Sequence, residues 1–109
     1  ELGTIAQSGL AVKIIVLNNN YLGMVRQWQE LFFDTRYSFV ELQNPDFITI
    51  AKGFGIEGHR CTHADDLDSS LDKLINTEGA YLLEVVVEKE GNIFPMMPSG
   101  SGVDDIRLE

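Results

Sequence analysis

The sequence predicts an α/β fold with a mainly parallel sheet flanked by helices. Two nearly unbroken apolar runs rich in β-branched residues, 12–17 and 81–87, read as buried strands. Several stretches of apolar residues at helical spacing lie around and between them, and Gly, Asn or Pro marks most changes of period. Strands separated by helical segments suit crossovers between parallel strands.

Each element has its own signal. In residues 1–10, Leu2, Ile5 and Ala6 fall on one side of a helix that stops near Gly9. Val12 to Leu17, VKIIVL, is the kind of run buried on both faces of a sheet. After the polar turn Asn18-Asn19-Asn20, residues Tyr21, Met24, Val25, Trp28, Leu31 and Phe32 follow helical spacing over 21–33. A further helix starts at Asn44-Pro45-Asp46, with Asn44 as side-chain cap and Asp46 favoured by the helix dipole, and runs to about Gly53. Residues 55–61 hold a short strand. Thr62 with Asp65 resembles a capping box before a helix whose stripe is Leu67, Leu71, Leu74 and Ile75, ended by Gly79. YLLEVVV, residues 81–87, is the second strong strand, and the sequence becomes irregular beyond Glu90.

The chain of 109 residues is the size of one domain or part of one. Seventeen acidic against eight basic residues give a net charge of −9, and no run of Lys or Arg offers a stripe for a phosphate backbone, so neither nucleic acid nor an anionic membrane surface is an expected partner. Asp65, Asp66, Asp68 and Asp72 read as a solvated helix face. The single cysteine, Cys61, cannot form an internal disulfide. Nothing resembles a signal peptide or a membrane span, so cytoplasm is the default location. The opening Glu1-Leu2, without a methionine, and the closing Leu108-Glu109, like a tag junction, suggest a domain truncated at its N-terminal side.

In parallel sheets ligands sit at the carboxyl ends of strands, which points to the segment after Leu17. Three asparagines there offer neutral oxygen ligands, although asparagine also favours plain turns. Magnesium prefers oxygen donors and is commonly held by one or two carboxylates with substrate phosphates. No carboxylate adjoins this turn, so an acid serving such a metal must come from elsewhere. By spacing alone, Met24 and Trp28 read as helix core. His59 and His63 have no Ser or Cys arrangement suggesting a triad and read as structural or capping residues; Cys61 reads as a small core residue. Arg26 and Gln27 read as surface or subunit contacts.

The stretch ELGTIAQSGLAVKIIVLNNNYLGMVRQWQELFFDTRYS resembles the second half of the thiamine-diphosphate motif, which ends in Asn-Asn. LGMVRQWQELFF, NPDFITIAKGFGIEG, YLLEVVVEKEGNIFPMMPSGSG and the following VDD are similar to the acetolactate synthase (acetohydroxyacid synthase) catalytic subunits. The resemblance covers essentially the whole chain and implies that residues 1–109 are the C-terminal part of the thiamine-diphosphate-binding domain.

The resemblance further implies that Asn19, through its side chain, and Tyr21, through its carbonyl, hold Mg2+ against the diphosphate, with an aspartate upstream of Glu1. Leu22, Gly23 and Met24 would flank the cofactor, Gly23 permitting close backbone approach. Trp28 would line the substrate channel and favour 2-oxobutanoate. Asn18 and Asn20 would form the turn, and the tail from Phe94 to Asp105 would close over the cofactor, with Gly100 and Gly102 letting it move. The implied reaction adds a cofactor carbanion to pyruvate, releases carbon dioxide and joins the remainder to a second 2-oxoacid, in branched-chain amino acid biosynthesis. The activating glutamate and the FAD site would lie outside these residues, leaving the isolated chain inactive. A homodimer or tetramer of full-length chains and a regulatory small subunit are the implied partners. Two alternatives stay open: another thiamine-diphosphate-dependent decarboxylase or carboligase, and a non-catalytic α/β oligomerisation module. A nucleotide-binding role is weaker for want of a Gly-rich loop.

Overall fold

A computed structural model describes residues 1–108. Glu109, half of the expected tag remnant, lies outside the described residues. The chain divides into two compact units, the first built from residues 1–20 and 43–88, the second from 21–42 and 89 onward.

The first unit carries α1 (Leu2–Ser8), β1 (Lys13–Asn18), α3 (Phe47–Gly53), β2 (Glu57–Cys61), α4 (Leu67–Asn76) and β3 (Tyr81–Val86); the second carries α2 (Gly23–Phe32). As expected, the sheet is parallel: β3 lies between β1 and β2 and pairs with both. Gly9 adopts φ 61°, the left-handed conformation that ends a helix cheaply in glycine, and its N–H closes α1 on the Ala6 carbonyl.

Alternation along β3 sends side chains to two cores. Leu82 meets Ile5, Ala51 and Ile56, with Ile14 and Val16 beside them, under α1 and α3. Tyr81 and Leu83 meet Cys61 and Leu74, with Leu67, Leu71 and Val85, under α4. Helices therefore cover both faces of the central strand. Gly58 marks a close approach in this packing, because a Cβ there would lie 2.9 Å from the Leu82 carbonyl oxygen and 3.3 Å from Ile48 Cδ1.

Several expectations are corrected. The VKIIVL strand is not buried on both faces: Ile15 and Leu17 are 50% and 70% exposed. They share the face of Leu83 and Val85, but α4 packs chiefly over β3 and β2 rather than over the edge strand β1. Asn18 is the last residue of β1 rather than a turn residue. The cap of α3 is Asp46, not Asn44, its Oδ1 accepting from the N–H groups of Ile48 and Thr49 at 3.0 Å each. The Thr62–Asp65 capping box does not form. A short 3-10 turn, Ala64–Asp66, leads into α4, and the Asp66 carbonyl accepts from the hydroxyls of Ser69 and Ser70. Ile75, expected in the α4 stripe, points to solvent, and Ser70 takes an inner position.

In the second unit, Leu22 precedes α2 and donates its N–H to the Val40 carbonyl at 2.8 Å, beside a bridge between Tyr21 and Glu41. The tail is held by an antiparallel bridge between Met96 and Arg107, and the Arg107 guanidinium lies 5.0 Å from the Phe32 ring centre. A second 3-10 turn spans Val103–Asp105.

Candidate functional site

The asparagine turn leaves the carboxyl end of β1, where the sheet topology places ligands. A buried carboxylate is bonded to its first side chain. Glu84, on β3 beside Val16 of β1 and Arg60 of β2, is 1% exposed. Oε2 accepts from Arg60 Nε at 2.6 Å and Oε1 from Asn18 Nδ2 at 2.7 Å. A buried carboxylate is tolerated only when both oxygens are so partnered. Asn18 Oδ1 in turn accepts from the Asn20 N–H and from Asn44 Nδ2, both at 2.9 Å. Asn20 takes φ 56°, a left-handed conformation that asparagine tolerates. Asn19, half-buried, is the middle residue of this side-chain-closed turn.

Arg60 links the carboxylate to α3, with Nη2 3.6 Å from Asp46 Oδ1. Its hydrogen bond to Glu84, then the charge of Glu84, hold the guanidinium above its ordinary pKa. Hydrogen bonding from the Thr49 N–H, with smaller help from Arg60, holds the Asp46 carboxyl below its ordinary range. Glu84 and Arg60 were missed in the sequence. The only cue was one acid inside the apolar run YLLEVVV, opposed by an arginine in the neighbouring strand.

In the second unit α2 is inverted relative to a core helix. Met24, Val25 and Trp28 are exposed, Trp28 at 39%, and line an open hollow of about 370 Å³. The Trp28 ring is supported by Phe32, with centroids 5.2 Å apart and planes tilted 59°. The buried residues are Arg26 and Gln27, which corrects their reading as surface contacts. Gln27 Nε2 donates to the Ile93 carbonyl and Oε1 accepts the Ile93 N–H, both at 2.9 Å, while Nε2 also reaches Met96 Sδ at 3.2 Å. Arg26 pairs with Glu30 at 3.1 Å and hydrogen-bonds the Tyr37 hydroxyl, which donates to Glu30 at 2.9 Å. That bond, then one from the Asn92 amide, holds the Glu30 carboxyl below its ordinary range.

Gly23 opens α2 half-buried, and Tyr21 has the Lys89 ammonium 5.3 Å from its ring centre. His59 and His63 are exposed, and Cys61 is buried in the core under α4, as expected. Among the described residues no three His, Cys, Asp or Glu side chains gather as a metal cluster. The donors offered by Asn19 and Tyr21, an amide oxygen and a backbone carbonyl, are neutral oxygens of the kind Mg2+ accepts alongside phosphates. By donor type alone, each of the two residues suits that ion. No described helix is long and apolar enough to cross a membrane.

Residues 1–85 match the family described as thiamine pyrophosphate enzyme, C-terminal TPP binding domain. The chain is 46% identical over 102 residues to the acetolactate synthase isozyme 2 large subunit of Escherichia coli, covering 93% of this chain and 19% of that protein. It is 45% identical over 105 residues to the mitochondrial acetolactate synthase catalytic subunit of Saccharomyces cerevisiae, covering 96% of this chain and 15% of that one. The chain thus spans less than a fifth of the length of these curated relatives. Among solved structures, a thiamine diphosphate-dependent 4-hydroxybenzoylformate decarboxylase of Rhodococcus jostii superposes with a TM-score of 0.72 at 25% identity, over 82% of this chain and 17% of that one. Parallel sheet, asparagine turn and sequence agree: the chain belongs to the thiamine pyrophosphate enzymes, as their C-terminal cofactor-binding domain.

Proposed function

We propose that residues 1–109 are the thiamine-diphosphate side of an acetolactate synthase catalytic chain, which condenses pyruvate with pyruvate or 2-oxobutanoate and releases carbon dioxide. The observation that carries this reading is the inversion of α2. If Met24 and Trp28 were core residues they would be buried; instead they are exposed and Gln27 is buried in their stead. Exposed apolar area of this kind is consistent with a ligand-facing surface.

Thiamine diphosphate supplies the carbanion chemistry, and the protein anchors, orients and encloses. Asn19 and the Tyr21 carbonyl would hold Mg2+ with the diphosphate, Leu22, Gly23 and Met24 would flank the cofactor, and Trp28 would form one wall of the substrate channel. The carboxylate completing the metal site, the activating glutamate and the FAD site belong to residues outside 1–109, so the isolated chain forms no acetolactate. The working enzyme is a dimer or tetramer of complete chains, with a regulatory subunit as a further partner.

The test is competition between pyruvate and 2-oxobutanoate as second substrate in the complete catalytic chain. Removing an apolar wall that rewards one extra methylene changes discrimination by about 1–3 kcal/mol. Trp28→Leu is therefore expected to lower the preference for 2-oxobutanoate about tenfold or more, and an unchanged ratio would exclude the channel role. A second reading, a 2-oxoacid decarboxylase, is favoured only by the likeness to the Rhodococcus enzyme. It predicts a free aldehyde as the main product from pyruvate, where the first predicts acetolactate.

A further inference from the structure

We propose that Glu84 is a positioning residue: as a buried acceptor it fixes which way the Asn18 amide points and thereby presets Asn19 as a metal ligand. This rests on Asn19 serving Mg2+ and goes beyond it to a residue on another strand.

Hydrogen-bond direction decides how the Asn18 amide is turned. An ionised carboxylate only accepts, whereas an asparagine amide has a donating and an accepting end that can exchange by a flip. Glu84 Oε1 takes the Asn18 Nδ2 end at 2.7 Å, so Oδ1 must face the turn. There it receives two donors, the Asn20 N–H and Asn44 Nδ2. Flipped, Asn18 would set its own N–H groups against both. Arg60, donating to Oε2 at 2.6 Å, holds the carboxylate in place. Asn18 and Glu84 are both buried, so water offers little substitute for the bond between them.

An amide at position 84 loses this polarity, because meeting Arg60 with its oxygen turns its own N–H groups toward Asn18 Nδ2. The double substitution Glu84→Gln/Asn18→Asp restores it in reverse. The new amide donates to one oxygen of the new carboxylate, whose other oxygen still accepts from Asn20 and Asn44, and the net charge is unchanged.

The test uses the complete catalytic chain, freed of metal and given saturating thiamine diphosphate, with Mg2+ titrated against acetolactate formation. Loss of a group orienting a ligand typically weakens metal affinity about 10–100-fold. Glu84→Gln is expected to raise the Mg2+ concentration for half-activation by about that factor, and the double variant to bring it back. The single Asn18→Asp, with two carboxylates facing each other, is expected to be impaired. If Glu84→Gln leaves the Mg2+ requirement unchanged, or if Asn18→Asp alone binds as tightly as the double variant, the proposal is overturned. Asn19→Ala separates this from the underlying reading: an unchanged Mg2+ requirement there removes Asn19 as a ligand whatever Glu84 does. Hydrogen exchange of the Asn20 amide, measured on the 109-residue chain, reports the turn without metal. It is expected to quicken in Glu84→Gln and slow again in the double variant; equal rates in all three would also overturn the proposal.

Discussion

Gln27 and Asp46 show how single side chains set local geometry here. The Gln27 amide closes both ways on the Ile93 backbone, the pairing two strand residues would make, and so ties the tail to α2. Gln27→Ala leaves the Ile93 N–H and carbonyl without that partner. It is expected to cost about 1–3 kcal/mol in denaturant unfolding and to speed exchange of the Ile93 amide. Unaltered exchange would mean that the tail is held by other contacts. Asp46 carries a pH prediction. Its carboxyl is held below the ordinary value of 3.8, so below that value the unfolded chain binds protons that the folded one does not. Its stabilisation is present above 3.8 and is lost as pH falls through the lowered value; Glu30, held below 4.5, acts with the same sign. Asp46→Asn keeps a capping oxygen but not the charge, so the fall of melting temperature on acidification should become shallower. An unchanged slope would place the acid sensitivity elsewhere. At this scale the sequence revealed Cys61 as core and the solvated acids of α4. It hid Gln27 and Glu84, because their burial depends on partners 24 to 66 residues away, and Arg26, whose partners Glu30 and Tyr37 are nearer but are brought to it only by the fold.

At the scale of elements, the strands and helices were legible because their period and turn residues are local. Boundaries at caps were less so: Asn44 and Asp46 are equally good caps by type, and tertiary bonding drew Asn44 to Asn18 instead. Burial was legible for β3, which has strands on both sides, and misjudged for β1, whose edge position no local pattern reveals. The α2 stripe was found at the right spacing, but spacing cannot say whether an apolar face meets a core or a ligand. Gly58 tests how tightly the sheet takes α3. Gly58→Ala sets a methyl group 2.9 Å from a backbone oxygen that cannot swing aside, so a loss of about 1–3 kcal/mol is expected in thermal unfolding. A variant as stable as the parent would show that β2 and β3 can shift at that point.

For the molecule as a whole, the chain passes from its first unit to its second between Asn20 and Tyr21. The turn belongs to the sheet unit; Met24 and Trp28 belong to the second unit. The one carboxylate bonded to the start of the turn, Glu84, is taken up by Asn18 and Arg60. The most direct measurement is the melting temperature of the complete, metal-free catalytic chain with thiamine diphosphate, with Mg2+, and with both. A ligand at a hundred times its dissociation constant stabilises the state it binds by about 2.7 kcal/mol. A clear rise is expected only with both together, and it is expected to be lost in Asn19→Ala; the same rise in that variant would contradict Asn19 as a metal ligand.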